Sequence, residues 1–444
     1  MPPGPRPRRG TSPDPHDQRD RGLTLIRTDY APWAWSTADT SLQRTGGLRA
    51  GAGATVDMLG REALRRTWSA TLGLVGVAKG ALDRGSAVGA RDGEPEVDLP
   101  DYGSAAGGES DTVSDEELLR WPKVDLHLHL VGSAAPHTVA QLAERHPEAG
   151  VPADPAAIRD FYAFRDFPHF IEVYTAVSGL VRAAADIEAL VVGLGSDLLA
   201  QGVPYAEVTV TPVTHLRAGI PADELARALE SGATQVRRDT GVELAWVYDI
   251  SAGDGPSGAH ETLRVALDQP PADLVGFGLG GSEAGINRAD YRAVFGRARA
   301  AGLRSVPHAG ETVGPDQVWA AVRDLGADRV GHGIAAHRDP RLMSHLRDHG
   351  VTLEVCPSSN VATGAVRNLA AHPLKDLLAH GVPVTLGSDD PPMFATNLLE
   401  EYRRARDVIG LTPGQLRTLV RTGIRASFAP DHVRHRLMAA APAI

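Results

Sequence analysis

The 444-residue chain has one cysteine, Cys356, so no intramolecular disulfide can form and a zinc site built from several thiolates is excluded. A lone thiol fits a reducing compartment, and a cytoplasmic location is expected. Cations are outnumbered, with 45 Lys and Arg against 55 Asp and Glu. The net charge of -10 argues against general affinity for nucleic acid, which needs clustered Lys and Arg on phosphates. The expected partner is a small molecule. No apolar run approaches the roughly 20 residues that cross a bilayer; the best, Trp68 to Ala78, is short and followed by Lys79, so no membrane span is expected. Met1 to Gly22 is Pro- and Arg-rich with no apolar stretch behind it, unlike a secretory signal.

The texture of the chain divides it at residue 115. Residues 1–115 run from a Pro/Arg/Asp segment through a Gly/Ala-rich region to an acidic stretch, a composition that buries little apolar surface. The expectation is a largely disordered N-terminal extension, or a product of an upstream misassigned start codon. Thr55 to Leu82 has the pattern of one amphipathic helix with Arg61, Arg65 and Arg66 beside its apolar segment, which also fits a membrane-surface or partner helix.

From residue 116 to 444, short β-rich runs alternate with longer Ala/Leu/Arg-rich stretches, as in a parallel sheet with crossover helices. Strands are predicted at residues 123–130, 204–210, 243–250, 273–280, 304–311, 328–334, 352–360 and 383–390. Eight strand-helix units over about 320 residues match a (β/α)8 TIM barrel. A doubly wound open sheet is the rival, but it calls for a Gly-rich phosphate fingerprint after the first strand, and that strand ends in histidines.

The first strand reads KVDLHLHL, so His127 and His129, two apart, face one side and can reach one metal, although an isolated His-x-His pair also occurs by chance. Strand five ends in PHAGE with His308 and Glu311, strand six in VGHGI with His332, and strand eight in GSDDPP with Asp389 and Asp390. Active-site groups of a barrel collect at strand C-terminal ends, where these lie. Imidazole and carboxylate ligands suit Zn2+, which keeps a position open for water in catalytic sites. Glu311 has the chemistry to donate a proton to substrate, and His332 to take a proton from the water or hold it in place.

The set HLHL, HAGE, GHGI and SDDP, in this order and spacing, resembles the adenosine deaminase family of the amidohydrolase superfamily from about Glu116 onward. The resemblance implies one Zn2+ per subunit on His127, His129, His308 and Asp389. It implies that Glu311 protonates purine N1, that His332 assists the attacking water, and that Asp390 accepts a hydrogen bond at N7. The strand-four segment GLGGSE resembles the family's backbone contact to the purine, with Gly281 N–H at N3. The implied reaction is hydrolytic loss of ammonia from C6 of a purine nucleoside. Other hydrolases of the superfamily, acting on phosphoesters or cyclic amides, often add a strand-four lysine for a second metal, and this strand has none. A non-catalytic barrel would be expected to lack a ligand or the Glu, and none is missing.

The pattern departs on the sugar side. Members acting on adenosine have an acid two residues after the second strand-one histidine, for the ribose 5′-hydroxyl; this chain has Val131. Thr209 stands where the family often has arginine. The segment FYAFRDFPHF puts Phe161, Phe164, Phe167 and Phe170 at three-residue spacing, four of the chain's eight phenylalanines. They read either as a core-facing stripe or as an aromatic wall beside the 5′ end of the substrate. Valine and aromatics together resemble the branch that deaminates aminodeoxyfutalosine, an adenine nucleoside of the menaquinone pathway with an aryl-bearing 5′ extension. Adenosine or deoxyadenosine is the alternative substrate.

Overall fold

A computed structural model describes residues 112–444. The expected N-terminal extension and the helix at residues 55–82 lie outside the described residues. Eight strands alternate with helices: β1 (Val124–His129), β2 (Tyr205–Val210), β3 (Glu243–Ser251), β4 (Leu274–Gly280), β5 (Arg304–Ala309), β6 (Arg329–His332), β7 (Thr352–Val355) and β8 (Val384–Leu386). They follow one another in sheet order, and each neighbouring pair is parallel. The sheet closes on itself where Asp389 N–H donates to His127 O at 2.8 Å and His129 N–H donates to Asp389 O at 3.1 Å. The fold is the (β/α)8 barrel that the alternation predicts.

Both faces of such a sheet are covered, which explains strands that read as nearly continuous apolar runs rather than alternations; β2 and β6 are buried along their whole length. Inside the barrel, Arg329 pairs with Glu207 and, at 2.5 Å, with Glu354, and its guanidinium lies 3.7 Å over the Phe428 ring. All three charged groups are almost wholly shielded from water, so removing one would strand the others.

Five strands, β1, β5, β6, β7 and β8, end earlier than the sequence pattern predicts. Pro357 opens the helix Pro357–Ala362; lacking an N–H, proline suits a first helical turn and not a central strand. Asn360 therefore sits on a helix behind β7. Strand β8 stops at Leu386, because Asp389 adopts φ 64, outside the extended region. Strand β5 ends at Ala309, ahead of Glu311.

Before β1, the helix Asp115–Arg120 is fixed by a capping box between Ser114 and Glu117. Lys123 Nζ donates to the Leu119 and Trp121 carbonyls at its other end, and Val113 is buried in the core. The packed chain thus includes Val113, just ahead of the boundary drawn from texture. Among the described residues, no helix is long and apolar enough to cross a membrane.

Candidate active site

The barrel gathers His127, His129, His308, Glu311, His332, Asp389 and Asp390 at the C-terminal ends of β1, β5, β6 and β8. Ring centroids of His127 lie 4.5 Å from His308, 4.7 Å from His332 and 5.6 Å from His129. Asp389 Oδ1 is 3.3 Å from His129 Nε2 and 3.7 Å from His127 Nε2. Such crowding needs room beside the rings: a Cβ at residue 331 would stand 2.8 Å from His127 Cε1, so Gly331 of the GHGI motif is required by close approach. His332 and Asp389 both hold left-handed backbone, φ 57 and φ 64. That costs a non-glycine residue about 1–3 kcal/mol and is concentrated at functional sites.

Residues outside the motifs orient these groups. His127 Nδ1 lies 2.9 Å from Glu354 Oε2; a carboxylate can only accept, so Nδ1 carries the proton and Nε2 presents its lone pair to the cluster. Ser359 Oγ donates to Asp389 Oδ2 at 2.6 Å. Behind His332 runs a chain of bonds with one consistent polarity. Leu374 N–H donates to His372 Nδ1, His372 Nε2–H to Asn360 Oδ1 at 3.2 Å, and Asn360 Nδ2 to His332 Nδ1 at 3.2 Å. His332 therefore accepts at Nδ1, and its neutral ring carries its proton on Nε2, facing Glu311 Oε2 at 3.7 Å and Asp389 Oδ2 at 3.8 Å.

Glu311 is set by both of its ends. Its carboxyl accepts from Thr363 Oγ1 at 2.8 Å and Asn360 Nδ2 at 3.3 Å. Its backbone is held by the carboxylate of Glu283, which accepts from the N–H groups of Gly310 (2.6 Å), Glu311 (2.9 Å) and Thr312 (2.9 Å). Arg288 neutralises Glu283 at 2.9 Å and also donates to the His308 carbonyl. The four residues Glu354, Glu283, Asn360 and His372 were missed in the sequence reading. Only Glu283 lay inside a quoted motif, GLGGSE, whose glycines drew the interpretation.

The electrostatics favour a cation and a proton donor. Burial first, and then the neighbouring imidazoles, push His127 and His308 well below the ordinary histidine value, so both are neutral ligands. His127 Nε2 and His308 Nδ1 are buried with no partner, the state of atoms that expect a ligand. Side-chain donor atoms of His127, His129 and His308 lie within 4.8 Å of one another, as do those of His127, His332, Cys356 and Asp389. The first set joined to Asp389 suits a divalent metal better. His332 already accepts at Nδ1, and the Cys356 thiol is directed to the Glu354 carbonyl at 3.7 Å. Burial also raises Glu311, and burial together with the Asp389 charge raises Asp390 well above the carboxylate range.

On the substrate side, Gly281 follows β4 with φ 90, a conformation open to glycine, and any Cβ there would be 3.7 Å from Ala252 N. Val131 is buried beside Leu130 and Thr209 in a pocket at the ends of β1 and β2. Phe161 ends the helix Pro155–Phe161 and packs against the core from a half-buried position. Phe164 packs against Phe170 with the rings tilted, centroids 5.2 Å apart, and edge-on against Phe394, from the loop after Asp390, at 5.9 Å. Phe170 and Phe394 are 5.1 Å apart. The phenylalanines thus pin the helix Phe167–Ser178 to the strand-eight loop, and neither Phe161 nor Phe164 lines the pocket beside Val131.

The family model described as adenosine deaminase matches residues 122–441. The chain belongs to the adenosine deaminase family. Its barrel resembles the aminodeoxyfutalosine deaminase of Streptomyces avermitilis, 46% identical over 320 residues, which are 72% of this chain and 89% of that protein. Among solved structures, adenine deaminase from Arthrobacter aurescens superposes with a TM-score of 0.68 at 29% identity, covering 72% of this chain and 97% of that one. An amidohydrolase from Burkholderia ambifaria with bound zinc has a TM-score of 0.68 at 25% identity, covering 75% and 93%. This member of the adenosine deaminase family is accordingly a deaminase, a hydrolase acting on a C–N bond, and deaminases of its superfamily depend on a metal.

Proposed function

We propose that the chain hydrolyses the C6 amino group of aminodeoxyfutalosine, releasing ammonia, as a step of menaquinone biosynthesis. The observation that carries the reading is the buried Val131, where the family resemblance implies an acid in members acting on adenosine, in a chain 46% identical to an aminodeoxyfutalosine deaminase. An adenosine 5′-hydroxyl buried against Val131 would lose a partner, at a cost of about 1–3 kcal/mol. An apolar 5′ substituent would not.

In this reading His127, His129, His308 and Asp389 hold one Zn2+. The ion, when bound, lowers the pKa of water to near neutrality. The chain's own residues do the rest. His332, with its proton on Nε2, donates to the attacking water oxygen and aims it at C6. Glu311, its carboxyl raised by burial, donates a proton to N1 as the water oxygen adds to C6, so the ring takes up the electron pair; of the water's two protons one restores the Glu311 acid and the other passes to the amino group, which leaves as ammonia when the C6–N bond breaks. Gly281 N–H donates to N3. Asp390 faces N7, and here the sequence expectation is reversed in sense: N7 carries a lone pair and no proton, so the contact needs a donor. Burial raises the Asp390 carboxyl, the direction that favours the protonated acid such a contact needs. A purine thus meets donors at N1, N3 and N7, and a base lacking those acceptors leaves buried donors unpaired.

The similarity to an adenine deaminase keeps a smaller substrate as the competing reading. Steady-state kinetics with aminodeoxyfutalosine, methylthioadenosine, adenosine and adenine separate the two. The expected result is a kcat/KM for aminodeoxyfutalosine at least tenfold above that for adenosine. Preference for adenosine or adenine would transfer the 5′ contact to a group other than those named here.

A further inference from the structure

Strand β4 is bare on the face it turns to the site. His129, Thr209 and Val247 stand side by side in the parallel registers of β1, β2 and β3, so all three share the face of the histidine cluster. Asp249 lies two residues beyond Val247 on β3 and shares that face, one layer nearer the mouth of the barrel, because strand side chains alternate. Its partner on β4 is Gly278, and the β4 residues on the same face are Gly276, Gly278 and Gly280. With no side chain in the way, Asp249 leans across that strand. A Cβ at 278 would stand 3.1 Å from Asp249 Cβ, and one at 280 would stand 2.6 Å from Asp249 Oδ2 and 3.6 Å from His308 Cε1. The carboxylate and the His308 ring therefore border the same point, one residue before Gly281.

Asp249 is 3% exposed, and Thr211 Oγ1 donates to its Oδ1 at 2.6 Å, which fixes the group. Among the described residues, none other than Thr211 and Asp249 itself donates to this carboxylate, and Oδ2 stays open beside Gly280. A buried carboxylate oxygen without a donor calls for an explanation, and Asp249 has no part in the chemistry at C6, N1, N3 or N7. The purine supplies the connection. N3 and the sugar-bearing N9 are bonded to one carbon, so a base held at N3 by Gly281 N–H sets its ribose beside residues 280 and 281. The end of β3 flanks that place, since a Cβ at 281 would be 3.7 Å from Ala252 N. The ribose brings hydroxyl donors there, of which the 2′-hydroxyl is nearest the base, and the side chain of Val131 has no acceptor for them.

We propose that Asp249 Oδ2 accepts a hydrogen bond from the ribose 2′-hydroxyl and makes the enzyme selective for ribonucleosides over 2′-deoxyribonucleosides. The assignment rests on the purine placement of the proposed function and is independent of the 5′ substituent. Thr211 acts through Asp249 as a positioning residue.

The test is kinetic, on the full-length chain with added Zn2+, comparing adenosine with 2′-deoxyadenosine and methylthioadenosine with its 2′-deoxy form. In wild type, kcat/KM for each ribonucleoside should exceed that for its 2′-deoxy partner by about tenfold, the size of one hydrogen bond to a charged group. In Asp249→Ala that ratio should fall to within twofold of one, by loss on the ribonucleoside alone, with zinc content unchanged. Asp249→Asn, which keeps an accepting oxygen, should lie between. A wild-type ratio near one overturns the proposal and needs no variant to fold. A ratio that persists in Asp249→Ala also overturns it, as does an equal loss on both partners together with loss of zinc, which would assign Asp249 to the metal site. Should wild type turn over adenosine but not aminodeoxyfutalosine, the proposed 5′ preference fails, and the adenosine pair still decides the role of Asp249.

Discussion

Replacing Glu283 by glutamine separates the proton donor from the metal site. Its carboxylate accepts three consecutive backbone N–H groups, from Gly310 to Thr312, and is paired with the buried Arg288. Hydrogen bonds to a charged group contribute about 1.5–3 kcal/mol each. An amide keeps one accepting oxygen and turns an NH2 toward the remaining donors, so at least one bond is lost and one contact becomes repulsive. A net loss of about 3 kcal/mol, expressed as displacement of Glu311, corresponds to roughly 100-fold in rate. Breaking the Arg288 pair should also lower the melting temperature. The assay follows loss of adenine absorbance together with zinc content and thermal unfolding. The account predicts a kcat down about 100-fold with zinc retained, because none of the four proposed ligands touches Glu283. A kcat within threefold of wild type at equal zinc content would refute the claim that Glu283 holds the acid in place.

Four further outcomes follow from the same geometry. Glu311→Gln should bind zinc and substrate normally and lose most turnover, as measured by single-turnover kinetics; a near-wild-type rate would remove Glu311 from its role. Glu354→Gln should weaken zinc binding about 10–100-fold in a competitive chelator titration, since the carboxylate that fixes His127 is lost. Val131→Asp should raise kcat/KM for adenosine relative to aminodeoxyfutalosine, and an unmoved ratio would undo the argument from Val131. Burial depresses His215 to about 4 and His372 to about 3, against 6.5 in an open chain. The unfolded state therefore binds their protons first. Their contribution to stability is complete above pH 6.5 and falls as the pH drops toward 4, by about 3 kcal/mol for His215 at roughly 1.4 kcal/mol per unit. Denaturant unfolding between pH 7 and 4 should show a shallower acid limb in His215→Phe than in wild type, and parallel limbs would contradict this assignment.

The parts of the site carried by local pattern were legible in the sequence. His127 and His129 share a face because strand side chains alternate, and HAGE, GHGI and SDDP stand at strand ends where a barrel gathers its chemistry. The orienting residues were not, because each is a single side chain with no local signature. Glu354 is a carboxylate in a run of apolar residues, and its importance appears only when β7 is laid beside β6 and faces His127 across the barrel. Asn360 was read as the end of a strand; Pro357 breaks the ladder and turns it onto a helix, from which it reaches both His332 and Glu311. His372 lies on a connecting segment whose position no periodicity describes. The direction of the Asp390 contact could have been found from purine chemistry alone, since N7 is an acceptor whatever the fold.

The most direct test of the account is a zinc titration of metal-free enzyme, following ammonia released from aminodeoxyfutalosine against metal bound per chain. The account predicts activity that rises in proportion to zinc and saturates at one equivalent, with the adenine absorbance lost in step with ammonia. Turnover that is independent of metal, or that needs a second equivalent, would contradict a single ion held by His127, His129, His308 and Asp389.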